Sequence, residues 1–149
     1  MENDREIIFD VEKKAGLSAD ELNVSLAKWQ EKLQMSDWIL SVEVVEFRRK
    51  NGYRQSGDFT ADPSKKTAQI LMTNDPWRDD EEYTLVHELL HVLFYDYDKN
   101  NEEELLKTYP KFGPEHDAYM DRLEELVHQM TRIILGRSDR WLWPIYNLG

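Results

Sequence analysis

The chain contains no cysteine. That excludes disulfides, zinc ribbons built on thiolates, and thiol nucleophiles. Glycine and proline are few, 6 and 5 in 149 residues, and neither a low-complexity tract nor an internal repeat is present. No apolar stretch reaches the roughly 20 residues that span a bilayer. The first residues, MENDREIIFDVEKK, are charged where a secretory signal is apolar, so a cytoplasmic location without membrane association is expected. Positive charge is also scarce: 19 Lys and Arg stand against 30 Asp and Glu, a formal net charge of −11. Such a balance opposes phosphate binding, and no nucleic-acid partner is expected. The densest basic stretch, Arg48, Arg49, Lys50 and Arg54, reads as a solvated turn.

Histidine is scarce too, at 4 residues, yet two of them fall in one pentapeptide, His87-Glu88-Leu89-Leu90-His91. Around it runs YTLVHELLHVLFY, apolar enough for a buried helix. On a helix, positions i and i+4 share a face. His87 and His91 can therefore turn two imidazole nitrogens toward one point, as a tetrahedral Zn²⁺ requires of two of its ligands. Glu88 stands beside that point, where a carboxylate can take a proton from a water polarised by the metal. The bland alternative is two histidines on a core helix. Burying two imidazoles and a carboxylate together without a partner is costly, and an apolar core has no need of them.

The rest of the chain reads as a single domain of residues 1–149, with a core of about 18–136 and an aromatic tail at 137–149. Ser18 and Glu21 form a capping-box signature ahead of the amphipathic spacing Leu22, Leu26, Trp29, Leu33. Trp38 to Phe47 alternates as a strand. Asn51-Gly52 is a hairpin signal, and Tyr53 to Ala61 is a less apolar returning strand suited to an edge. Thr67 to Thr73 is a third strand after the turn Asp62-Pro63-Ser64-Lys65. Asp75-Pro76 is expected to open the HELLH helix, with Asp as cap and Pro at the first helical position. The polar segment after Asp98, with Pro110, Gly113 and Pro114 as breakers, reads as a loop that could hold one short helix. A long helix is predicted from about Glu115 to Leu135, stopped by Gly136. This order predicts an α+β fold: an N-terminal helix, a small three-stranded antiparallel meander, the metal helix and a long final helix. Trp29, Trp38 and Trp77 are expected in the core. Glu102-Glu103-Glu104 is expected on a solvated face. The tail Arg140 to Tyr146 is expected to fold back over the core or to serve self-association.

A catalytic zinc keeps three protein ligands and an open position. After His91 come Val, Leu, Phe, Tyr, Asp and Tyr, so the metzincin continuation HExxHxxGxxH is absent. The other candidates are His116, His128 and the long-helix carboxylates Glu124 and Glu125. Leu123, Val127, Met130 and Ile134 mark that helix's apolar face; Glu124 flanks it and Glu125 lies nearly opposite, so spacing alone leaves the choice open. HELLH followed by a Glu-bearing helix resembles the gluzincins, the thermolysin-like zinc peptidases. Glu125-Leu126-Val127-His128-Gln129-Met130 is similar to their ligand helix, with Gln129 where many members carry Asp. The compact layout resembles the zincin-like metallopeptidases of phages and prophages and the ImmA/IrrE-like group.

The resemblance implies a zincin-like fold, Zn²⁺ held by His87, His91 and Glu125, and Glu88 as general base in peptide hydrolysis. It further implies a protein or peptide substrate pairing with an edge strand, for which Thr67 to Thr73 is the candidate. His116, Tyr109 or Tyr119 could stabilise an oxyanion. The rival expectation is a non-catalytic zincin-fold regulatory or binding module with a structural zinc, against which Glu88 argues. A DNA-associated SprT-like protease is disfavoured by the acidic balance and the missing cysteines.

Overall fold

A computed structural model of the chain describes residues 5–49 and 54–137. The Asn51-Gly52 turn and the tail from Arg140 to Tyr146 lie outside them. The architecture is mixed α and β, with strand β1 (Arg5–Ile8), helix α1 (Ala19–Lys32), strands β2 (Ile39–Arg49), β3 (Gly57–Asp62) and β4 (Thr67–Thr73), and helices α2 (Glu81–Leu106) and α3 (Pro114–Leu135). Two compact units divide within α2, Met1–Leu93 and Phe94–Gly149. Among the described residues, no helix is long and apolar enough to cross a membrane.

In the first unit the capping box forms as its residues predict. The Ser18 hydroxyl accepts from the Glu21 amide at 3.1 Å, and the Glu21 carboxylate accepts from the Ser18 amide at 2.8 Å. Those hydrogen bonds with Ser18, the backbone one foremost, hold the Glu21 carboxyl below its ordinary pKa. Leu22, Leu26 and Trp29, one turn apart, are the buried face of α1, and the Trp29 indole donates to Glu82 at 2.8 Å.

The sheet departs from the expected three-stranded meander. Among the described residues it has four strands in the order β1-β2-β4-β3. β2 and β4 are parallel, with Val42 opposite Ile70 and Val44 opposite Met72. β3 is antiparallel to β4, and β1 is antiparallel to β2 on its other side. The reason lies in the strands' polarity. β4 buries Ala68, Ile70, Leu71 and Met72, which puts apolar side chains on both faces, and such strands occupy sheet interiors. β3 alternates Gly57, Phe59 and Ala61 with Asp58, Thr60 and Asp62, a pattern that suits an edge. The returning strand thus takes the edge, as its composition suggests, but across β4 rather than beside β2.

The start of α2 also differs from expectation. Asp75-Pro76 remains in the preceding loop, where Arg54 donates to the Asp75 carbonyl at 2.9 Å. Asp80 caps instead, its carboxylate accepting from the Tyr83 amide at 2.8 Å. Glu81 is buried in the first turn and is satisfied by the Lys13 ammonium and the Leu17 amide. A negative charge there also suits the positive end of the helix dipole. Trp29 is in the core, but Trp77 is 48% exposed, with the guanidinium groups of Arg54 and Arg78 over its ring at 4.8 and 5.1 Å.

In the second unit, α2 continues through the segment expected to be a loop. Asn100, Asn101 and the three glutamates tolerate a helix, and Lys99 pairs with Glu102 one turn on at 2.9 Å. The first breaker is Pro110, and the helix ends four residues before it. α3 starts with Pro114 after Gly113 and ends at Gly136, whose φ of 67° is the left-handed conformation that closes a helix. Within this unit the Tyr119 hydroxyl donates to the Asp98 carboxylate at 2.7 Å. Burial first, and then this bond, push the phenol well above its ordinary pKa.

Candidate metal centre

The site begins with α2. Leu85, Val86, Leu89, Leu90 and Val92 are buried hydrophobic residues, which makes this stretch a core helix. His87, Glu88 and His91 are buried within it, at 8%, 7% and 9% exposure. The i, i+4 spacing brings the two imidazoles together as the sequence predicts: their centroids are 4.9 Å apart and their planes meet at 69°. Two buried imidazoles one turn apart are donors of a kind that could hold a divalent metal ion, with a carboxylate beside them.

Strand β3 completes the surroundings. Gly57, at its start, lies against the helix. A Cβ built there would come within 2.7 Å of Thr84 Cγ2 and 3.2 Å of Glu88 Oε2. The absence of a side chain at residue 57 is what lets the edge strand approach Glu88 so closely. Phe59, two residues on and on the same face, stacks on His91 with centroids 5.6 Å apart and planes 13° apart. Tyr83, one turn before His87, stacks on it at 6.4 Å and 18°. Gln55 braces the strand, its side-chain amide donating to the Gly57 carbonyl at 2.7 Å. These residues carry no motif. Their only signal in the sequence was the alternation of β3 and the four-residue step from Tyr83 to His87.

A direct consequence is that Gly57→Ala should destabilise the fold by about 1–3 kcal/mol, the usual cost of forcing an extra methyl into a packed core. Thr84→Ser, which deletes the methyl that clashes, should recover most of that loss in the double variant. Urea unfolding of the four proteins measures it; strictly additive effects would show that the close approach is not the cause.

The other predicted residues fall on α3. Glu125 is exposed, on the side away from the buried Val127. Glu124 is exposed as well, but it faces His128 one turn on, with Oε1 and Nε2 3.7 Å apart. His116 is not arranged as a ligand or an oxyanion donor. It is 1% exposed, its Nδ1 accepts from the Phe112 amide at 2.9 Å and its Nε2 meets Glu102 at 2.6 Å. Both ring nitrogens are thus engaged in joining the ends of two helices. Glu102 is accordingly not part of a solvated acidic run. Burial alone would raise its pKa, but hydrogen bonds from His116 and Lys99 hold it below the ordinary value. Tyr119 is committed to Asp98, and Tyr109 is 40% exposed.

No family model, no curated protein and no solved structure matches this chain.

Proposed function

We propose that this chain is a zinc-dependent metallohydrolase that cleaves peptide bonds, a compact member of the HExxH…E type with a zincin-like fold. The observation that carries the reading is the burial of His87, Glu88 and His91 on one core helix, with the two imidazoles 4.9 Å apart. Metal chemistry would give these three neighbouring buried side chains a joint use.

His87 and His91 would hold the ion, with Glu125 as third ligand on the strength of the resemblance and Glu124 as its competitor. Bound there, Zn²⁺ would supply Lewis acidity and lower the pKa of a water molecule. Glu88 acts as general base: it accepts the proton that the attacking water loses and returns it to the leaving amine. The apolar helix and the Phe59 ring exclude bulk water, which strengthens the pull of each charge. The substrate-pairing strand expected at Thr67 to Thr73 cannot serve, because β4 is paired on both sides. β3 is the edge strand on that side of the sheet, and it runs past Glu88 and His91. An extended peptide adding to β3 through backbone hydrogen bonds would bring its carbonyls toward the general base.

The test uses a fluorescently labelled unfolded casein as a generic probe. The purified protein should contain about one zinc per chain, as a single three-ligand site requires. Treatment with 1,10-phenanthroline should reduce cleavage to background, and added Zn²⁺ should restore it. A protein that takes up no zinc, or whose cleavage survives complete removal of metal, would overturn the reading.

A further inference from the structure

We propose that Phe59 is a positioning residue for His91, and that it closes an aromatic column which orients both ligand imidazoles before any ion arrives. The inference rests on the metal reading of HELLH. The column runs Tyr83, His87, His91, Phe59. Its first three members stand four residues apart on α2, so each ring follows one turn after the last. The fourth comes from a different element, the edge strand β3.

The angles give the column its meaning. Tyr83 and His87 are near parallel at 18°, and Phe59 and His91 at 13°, whereas the two imidazoles meet each other at 69°. Each imidazole thus has a near-parallel, offset aromatic ring packed beside it, at 6.4 Å for His87 and 5.6 Å for His91, and the other imidazole at a steep angle. The torsion that spins an imidazole about its Cβ–Cγ bond is broad and roughly two-fold. Two such rings converge on one ion only if both torsions are fixed together, and a ring covered by a parallel aromatic ring cannot turn without breaking that stack. On His87 the cover comes from Tyr83, 1% exposed and locked in the core. On His91 it comes from Phe59, which is only half-buried. His91 is therefore the ligand whose orientation depends on the edge strand. A leucine would fill the same apolar space; only a planar ring supplies the orientation.

Stacked aromatic pairs differ from non-planar apolar contacts by an amount that corresponds to about two- to tenfold in an equilibrium constant. Phe59→Leu keeps the apolar volume and removes the flat face. It should bind Zn²⁺ about three- to tenfold more weakly in competition with a chromophoric chelator, while its urea unfolding midpoint stays near that of the native chain. Phe59→Tyr, which restores the ring, should bind within about twofold of native. In the metal-free protein, the ring-proton resonances of His91, beside the Phe59 ring, should shift in Phe59→Leu but stay near their native positions in Phe59→Tyr.

The proposal is overturned if Phe59→Leu binds zinc as tightly as the native chain while His91→Ala loses it; the metal reading then stands without the positioning role. If His91→Ala and His87→Ala both leave zinc binding unchanged, the metal reading fails and takes the proposal with it. Should Phe59→Leu weaken zinc and Phe59→Tyr fail to recover it, the effect is volume and not orientation, and the proposal is overturned on that ground alone.

Discussion

Glu88→Gln should keep the zinc and lose the hydrolysis. Glutamine matches glutamate in size and shape, so the buried position at 7% exposure beside Gly57 stays filled. What disappears is the ability to accept a proton. Positioned general bases contribute about 10²–10⁴-fold to rate, and the drop in casein cleavage should fall in that range or beyond. On the proposed reading Glu88 stands beside the ligands and is not one of them, so zinc affinity should change far less than the rate, by no more than about tenfold. Metal analysis of the purified variant and initial rates at saturating zinc measure the two quantities separately. Cleavage within tenfold of native would remove Glu88 from the role of base. Loss of zinc together with rate would instead make Glu88 a ligand, and the open coordination position would have to be sought elsewhere.

What could be read from the residues, and what could not, follows the range over which each signal acts. Ser18 and Glu21 cap α1 through contacts three residues apart, and such a local pattern is complete in the sequence. The pairing of His87 with His91 is a property of one helical turn. The face of β3 that carries Gly57 and Phe59 was implicit in its alternation. The failures are longer in range. Asn51-Gly52 suggested that β2 and β3 pair with each other, but pairing was settled by which strand could be buried on both faces, and β4 was the one. Pro76 suggested a helix start because a proline suits the first turn; Asp80, nearer the apolar run, offered the cap that the Tyr83 amide took. The polar stretch after Asp98 reads as a loop from composition, yet it holds no breaker before Pro110, and the propensity cost of helix through Asn and Glu is small and offset by i, i+3 pairing. His116 reads as spare chemistry in the sequence because its partners, the Phe112 amide and Glu102, are met only through the turn between the two helices. At the candidate site the divide is the same. The residues one turn apart on α2 were legible, while Phe59, 32 positions before His91 in the chain, came beside it only through the packing of a strand on a helix.

In the proposed metal site the choice of third ligand turns on two adjacent residues, and it allows a sharp expectation. Glu125→Ala should weaken zinc binding far more than Glu124→Ala. Glu125-Leu126-Val127-His128-Gln129-Met130 resembles the gluzincin ligand helix in the register that makes Glu125 the donor. Removing it would leave a dication held by two neutral imidazoles, with the loss of a direct ligand and of the only negative charge among the three; several kcal/mol of affinity should go with it, by order of magnitude. An exposed glutamate that holds no metal should cost no more than about 0.5 kcal/mol. The competing arrangement is specific. Glu124 faces His128 across one turn of α3 at 3.7 Å, and Glu125 lies on the exposed side of the same helix. Competitive chelator titration of both variants, with circular dichroism to confirm that each is folded, separates the two. If Glu124→Ala loses the ion and Glu125→Ala keeps it, the ligand register shifts by one residue, and His128→Ala becomes informative, since it would then remove the group that orients the ligand carboxylate. If both variants keep the ion, no glutamate of this pair is a ligand and the HExxH…E reading fails. His116 is poorly placed to take the role, because ligation through either ring nitrogen would break its hydrogen bond with the Phe112 amide or with Glu102.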